Sequence, residues 1–202
     1  MNEKKRTYRL RQRARTQEET RRRIIEATMH LHEEIGPRAT TISAIAERAG
    51  VQRLTVYRHF PDETAVFAAC TAHWLSLNPP PDPALWAGLA DPHRRLGAAL
   101  QAFYRYYAST RRMWAAAHRD VAEVPALQRP MADFAAHVAA IADDLAGGIG
   151  AEAAAARVRA TIGHVLAFPT WADLEARGLD HPRKVELALA WVAGAWTVGR
   201  RR

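Results

Sequence analysis

Apolar residues along this chain recur at intervals of three and four, and no stretch alternates apolar with polar residues for the length of a strand, so the pattern predicts an all-α protein. Ile24, Ala27, Thr28, Leu31 and Ile35 give a first helix over Thr16 to Ile35, stopped by Gly36-Pro37. Ile42, Ile45, Ala46 and Ala49 share one face of a second, with Thr41 where an N-cap belongs and Gly50 where a left-handed residue closes it. Val56 and Phe60 form the inner face of a third helix. Pro61-Asp62 opens a fourth, through about Leu77, with Ala65, Phe67, Ala68 and Trp74 as its bulk. The run Asn78-Pro-Pro-Pro-Asp-Pro then marks a boundary between functional parts.

Beyond that run, Leu96, Leu100, Phe103 and Tyr107 stripe a helix that starts near Asp91-Pro92. A short helix over Arg111 to Val121 ends before Pro125, and a longer one covers about Ala126 to Ala146, broken by Gly147-Gly148-Ile149-Gly150. The Ala-rich stretch Ala151 to Arg177 has high helix propensity, with Pro169 as a kink. A last helix covers Pro182 to Gly199.

Composition narrows the class. A chain of 202 residues can bury a substantial core, and a single cysteine, Cys70, excludes an internal disulfide and a multi-Cys zinc module. Cys70 is read as a small core residue in a reducing compartment. The basic N-terminus lacks the apolar stretch of a signal peptide, and no apolar run is long enough to span a bilayer, so a cytoplasmic protein is expected.

Charge is unevenly placed. Residues 1–23 hold 10 Lys/Arg against 3 Asp/Glu, whereas residues 24–60 hold 4 of each, so nearly all of the net +8 lies in the tail. Arg9, Arg11, Arg13 and Arg15 alternate with Leu10, Gln12 and Ala14, a spacing that suits an extended arm better than one helix face. Such an arm suits the minor groove of A·T-rich DNA and gains affinity by releasing counterions. A solvated, disordered terminus is the plainer alternative.

The segment Thr41 to Phe60 carries the chemistry. Two short helical patterns flank Gly50, and the outer face of the second presents Arg53, Thr55, Arg58 and His59, all donors or acceptors. This is the pattern of a DNA-reading helix-turn-helix. Thr41, Ile42, Ile45, Ala46, Ala49, Gly50, Val51, Thr55, Val56, Tyr57, His59 and Phe60 resemble the motif of the TetR family of bacterial transcriptional regulators. The resemblance is close over about a quarter of the chain, from the first helix through the fourth.

Beside the basic arm, taken as residues 1–15, it implies a DNA-binding domain over 16–77 with its motif at 41–60, and a helical effector-binding and dimerisation domain over 78–202. It further implies that Thr41, Tyr57 and His59 hold phosphates while Arg53, Thr55 and Arg58 approach base edges, as Arg to guanine and Thr to a thymine methyl permit. Three residues depart from the family pattern. Gln52 replaces a capping Ser or Thr, Leu54 stands where Gly is common but can meet a thymine methyl, and Glu63 replaces a phosphate-facing Lys. Binding is therefore expected to lean on the arginine tail.

In the second half, Phe103, Tyr104, Tyr107, Trp114, His118, Phe134, His137, Phe168 and Trp171 interleave aromatic with ionisable groups, as an effector pocket requires and as a filled core also would. A His118/His137 metal pair lacks a third ligand at recognisable spacing. Val185, Leu189, Val192 and Trp196 stripe the last helix, with Leu187 and Trp191 widening it; the resemblance implies a two-fold interface with a second copy. A membrane-surface helix is the rival, but Arg200 to Arg202 lie beyond its end.

The expected function is a homodimeric, sequence-specific regulator of double-stranded operator DNA, a repressor released by a small-molecule effector, with no cofactor and no metal. Two other classes stay open. One is a non-specific DNA-binding protein relying on the tail. The other is an all-α enzyme using His118 or His137, although no nucleophile–base motif, phosphate loop or metal triad accompanies them.

Overall fold

The chain was analysed as a computed structural model that describes residues 3–147 and 152–197, with side chains for 7–147 and 155–197. The expected break at Gly148-Ile149-Gly150, the helix end at Gly199 and the Arg200 to Arg202 run lie outside the described residues. Within them the structure holds ten α-helices and no strand. No helix of the described residues is long and apolar enough to cross a membrane. The chain divides into two compact units, 1–78 with 115–129, and 79–114 with 130–202. The segment 115–129, read from the sequence with the second half, thus belongs with the first.

In the first unit α1 (Glu3–Glu34) packs on α2 (Ile42–Ala49) and α4 (Glu63–Leu77), and α2 packs on α3 (Arg53–His59). The core joins Ile24, Ala27 and Leu31 of α1 to Ile45 and Ala46 of α2, Val56 and Phe60 around α3, and Val66 and Phe67 of α4. In α4, Val66 and Cys70 face inward, where the sequence suggested Ala65 and Ala68; Ile35, the expected end of the α1 stripe, is 45% exposed.

The first correction concerns α1. It begins at Glu3, so the stretch read as an extended arm is helical. The reason is local: between Glu3 and Glu34 stands neither Gly nor Pro, and Arg, Lys, Gln, Glu, Leu and Ala all favour helix. Thr16 does not start the helix; its hydroxyl donates to the carbonyl of Gln12 at 3.0 Å, one turn back.

The exit from α1 is tightly held. Gly36 lies at φ 91°, a region open essentially to glycine, and a 3-10 turn at Pro37–Ala39 leads into α2. The turn rests on Asp120, buried at 3% exposure, whose carboxylate accepts the backbone N–H of Arg38 at 3.1 Å and the side chain of Arg119 at 2.7 Å.

In the second unit the small α5 (Ala84–Ala87), unforeseen directly after the proline run, buries Trp86. The helix α6 (Pro92–Asp120) is continuous where two helices were expected, because the hydroxyls of Ser109 and Thr110 turn back onto the Tyr106 carbonyl instead of capping a new start. Its expected stripe of Leu96, Leu100, Phe103 and Tyr107 is wholly buried. After α7 (Pro125–Gly147), the Ala-rich stretch divides at Ala167 into α8 (Glu152–Leu166) and α9 (Phe168–Ala176), with Pro169 in the first turn of α9, where its missing N–H costs nothing. Finally α10 (His181–Thr197) packs on α8 and α9.

One consequence can be measured in acid. His32 on α1 is buried against the Phe67 ring, with Nδ1 3.7 Å from the Cys70 sulfur, and burial lowers its pKa from 6.5 to about 4 against a weaker upward pull from Asp120. The unfolded chain therefore takes up this proton first, so the stabilisation is complete above pH 6.5 and is lost as the pH falls towards 4. Over that window the loss should reach about 3 kcal/mol. Urea unfolding at pH 7 and 4.5 should show it, and the fall should be clearly smaller for His32→Gln; equal falls in both would clear His32 of the effect.

Candidate nucleic-acid interface

The two helices of the motif are set by their ends. Thr41 caps α2, its Oγ1 accepting the Ala44 N–H at 3.2 Å. Gly50 closes α2 at φ 65°, ψ 40°, while the N–H of Val51 reaches back to the Ala46 carbonyl at 2.9 Å. Only Gly50, Val51 and Gln52 separate α2 from α3. Gln52 occupies the N-cap position of α3 without a side-chain capping bond, the loss expected from its departure from Ser or Thr. Glu63 opens α4 behind Asp62, whose carboxylate accepts the Ala65 N–H at 2.8 Å; a Glu there favours the helix dipole rather than a phosphate.

Val56 and Phe60 are buried, and the Arg21 guanidinium lies 5.0 Å from the centre of the Phe60 ring, so α3 cannot rotate without opening the core. That roots its other face in solvent. Gln52, Arg53, Leu54, Tyr57 and Arg58 are exposed, and Thr55 and His59 are half-buried. Leu54, 76% exposed, has no packing role that accounts for it, which leaves it available to a thymine methyl. Burial first, then the charges of Arg58 and Arg21, hold His59 below the ordinary histidine range. At neutral pH it is a polar donor more than a cation.

The helical form of the arm creates a feature the sequence reading missed. Arg9, Gln12, Arg13, Thr16, Gln17 and Thr20 of α1, with Arg58 and His59 of α3, line an open groove of about 470 Å³. Arg11 and Arg15 are not among its lining residues. The four arginines taken together as one arm are therefore divided. A helical period applied to residues 9–20 would have revealed this.

In the second unit the aromatic residues proposed for a pocket form a close cluster. The Tyr107 ring lies 5.4–6.5 Å from those of Phe103, Trp114, Phe134, Phe168 and Trp171, and Trp114 lies 4.3 Å from Phe134. Tyr106, not singled out from the sequence, joins them. The hydroxyls of Tyr104 and Tyr107 donate to the carbonyls of Val165 and Leu166 at 2.9 and 2.8 Å, satisfying orphan acceptors at the end of α8. Those two phenols are committed to structure. Phe134 and His137 are partly exposed, and Nε2 of His137 is buried without a hydrogen-bond partner. His118 belongs to the other unit.

The stripe predicted to pair subunits is divided in the structure, with Leu189 and Trp196 half-buried. Val185 and Val192 are buried within this chain, Leu189 approaches Gly97, and the Trp196 ring lies 5.2 Å from that of His93. The exposed face of α10 instead carries Ala190, Trp191 and Gly194, with Trp191 6.4 Å from His164 of α8. Both stripes are apolar, and only packing shows which turns inward.

Residues 24–70 match the family described as bacterial regulatory proteins, tetR family. No curated protein matches the sequence. Among solved structures, the chain is similar to a TetR-like transcriptional regulator from Rhodococcus sp. RHA1, at 19% identity over 91% of this chain and 97% of that one, with a TM-score of 0.63. It is similar to a TetR transcription regulator from Haloarcula marismortui ATCC 43049, at 14% identity over 90% and 98% of the two chains, TM-score 0.58. A third similar structure is the multidrug binding protein EbrR complexed with imidazole, at 18% identity over 85% and 93%, TM-score 0.56. At these identities the likeness is one of fold.

The cap on α2 gives a test without DNA. Thr41→Ala should lower stability by about 1 kcal/mol in chemical denaturation, and Thr41→Ser should restore most of it. An unchanged midpoint for Thr41→Ala would mean the hydroxyl does not cap in solution.

Proposed function

We propose that the chain is a DNA-binding transcriptional regulator of the TetR type, a reading supported by the family match over residues 24–70, and that it is a homodimeric repressor, released from a pseudo-palindromic operator by a small-molecule effector. The observation that carries this reading is α3 itself, locked by Val56 and Phe60 with its polar face left in solvent. Arg53, Thr55 and Arg58 read base edges, with Leu54 against a thymine methyl and Tyr57, His59 and the exposed Thr41 on phosphates. The protein acts in the cytoplasm, where its operator lies.

One recognition helix reads only a half-site, so a second copy is needed. We assign the contact to the outer face of α10, centred on Trp191, together with the exposed Ala156, Ala160 and His164 of α8. A Trp 38% exposed among small residues is the kind of anchor that such interfaces bury. The effector meets the aromatic cluster at its partly exposed members, Phe134 and His137, where the unpartnered Nε2 can orient a polar group. That a protein of the same fold is a multidrug binding protein complexed with imidazole supports a small-molecule effector. Effector binding would favour a spacing of the two recognition helices that no longer fits adjacent major grooves. No catalytic role is assigned to His118 or His137.

Mobility-shift and footprinting assays on the DNA beside the protein's own gene test the reading. Two protected half-sites about 34 Å apart are expected; equal affinity for scrambled duplexes at moderate salt would leave only the non-specific alternative. Arg53→Ala should change which base is preferred at one position in each half-site, with a loss of about 1–3 kcal/mol, whereas Tyr57→Ala should weaken all duplexes alike. Trp191→Arg should give monomers in sedimentation and abolish high-affinity operator binding while the helical signal is kept. Dimers that survive Trp191→Arg would place the interface elsewhere.

A further inference from the structure

We propose that the groove between the N-terminal half of α1 and the last turn of α3 binds the sugar–phosphate backbone of duplex DNA, making α1 a rigid second grip on the strand beside the groove that α3 reads. The proposal rests on the DNA-reading function above and extends its footprint.

Register is the main argument. The groove residues of α1, from Arg9 to Thr20, follow one helical face at i, i+3, i+4, i+7, i+8 and i+11. The same face continues as Ile24, Ala27, Thr28 and Leu31, all buried in the core. So a single face of α1 is packed where the chain covers it, its one hydroxyl, on Thr28, bonded back to the Ile24 carbonyl, and is entirely hydrogen-bonding and unsatisfied by the core where the chain does not. A partner from outside must therefore be polar. Arg58 and His59 form the opposite wall, and they sit on α3, the helix to which the proposed function gives base reading.

Charge then selects the partner. Arginines, glutamines, threonines and one histidine line the groove, with no carboxylate among them, a set of donors suited to anionic oxygen. Arg9 and Arg13 stand one turn apart, about 6 Å along the axis, so each can meet a different phosphate of one strand. Helical structure also excludes the alternative of an arm threaded into the minor groove. A helix about 10–12 Å across does not enter a groove about 6 Å wide.

The test compares two double variants of the full-length protein on operator and on scrambled duplex across a salt series. Arg9→Gln with Arg13→Gln should reduce the slope of log affinity against log salt by about two per subunit, near 0.9 for each phosphate lost, and shorten the backbone footprint without altering base preference. Arg11→Gln with Arg15→Gln, which removes the same charge outside the groove, should leave slope and footprint close to wild type. Equal losses from both pairs would reduce the arm to diffuse charge and overturn the groove, as would a wild-type slope for the Arg9/Arg13 pair. So would a wild-type preference for A·T over G·C flanks that the Arg9/Arg13 pair abolishes, the mark of minor-groove entry. If wild-type protein fails to distinguish operator from scrambled duplex, the regulatory reading fails separately; a slope reduced only by the Arg9/Arg13 pair would still support the groove.

Discussion

Everything the motif does depends on how the chain leaves α1. Between Ile35 and Thr41 it must reverse direction and still deliver Ile42 and Ile45 to the core that Ile24 and Leu31 already line. Gly36 makes the turn possible at φ 91°, and Asp120 makes it stay. A side chain at position 36 would begin 1.8 Å from the Arg119 guanidinium and 2.5 Å from the Asp120 carboxylate, so the closeness of these groups and the absence of a Cβ are one constraint. A buried carboxylate is tolerated only when paired. Here Arg119 supplies the countercharge and the Arg38 N–H supplies direction, and the Arg119 hydrogen bond draws the Asp120 pKa below the usual carboxylate range.

From that turn the rest of the first unit follows as a series of fixed ends. Thr41 starts α2, Gly50 stops it, and the burial of Val56 and Phe60 sets the rotation of α3. Surface ion pairs such as Arg48 with Glu34 add little by comparison, because water competes for both partners. The reading face is thus held from behind by packing and needs no support from its own polar side chains. Those remain available for DNA.

The same helix serves two solvents. From Ile24 onward α1 is a core element, and before Thr20 its face carries only groups that water or a polyanion can satisfy. This explains why residues 24–60 carry no net charge while the tail carries nearly all of it. The hydrophobic contacts position the recognition helix, and positive charge is concentrated where no core has to exclude it.

Fold class, the motif and the buried stripes of α2 and α6 were legible in the sequence because each is a local matter: 3.6-residue periodicity, a capping Thr, a glycine at a helix end. The TetR-type motif belongs here too, since its residues are contiguous from Thr41 to Phe60. What the sequence could not decide was any choice between two local solutions of similar energy. Alternating arginines fit an extended strand or two sides of a helix; unbroken helix propensity back to Glu3 selected the second. Both faces of α10 are apolar, and only the fit of Leu189 against Gly97 and of Trp196 against His93 showed which one the chain covers itself. Nothing local to Asp120 marks it as structural; only folding brings it, across more than 80 residues, to the backbone of Arg38. Periodicity determines which faces exist, but which face is buried depends on partners distant in sequence, and those meet only in the tertiary structure.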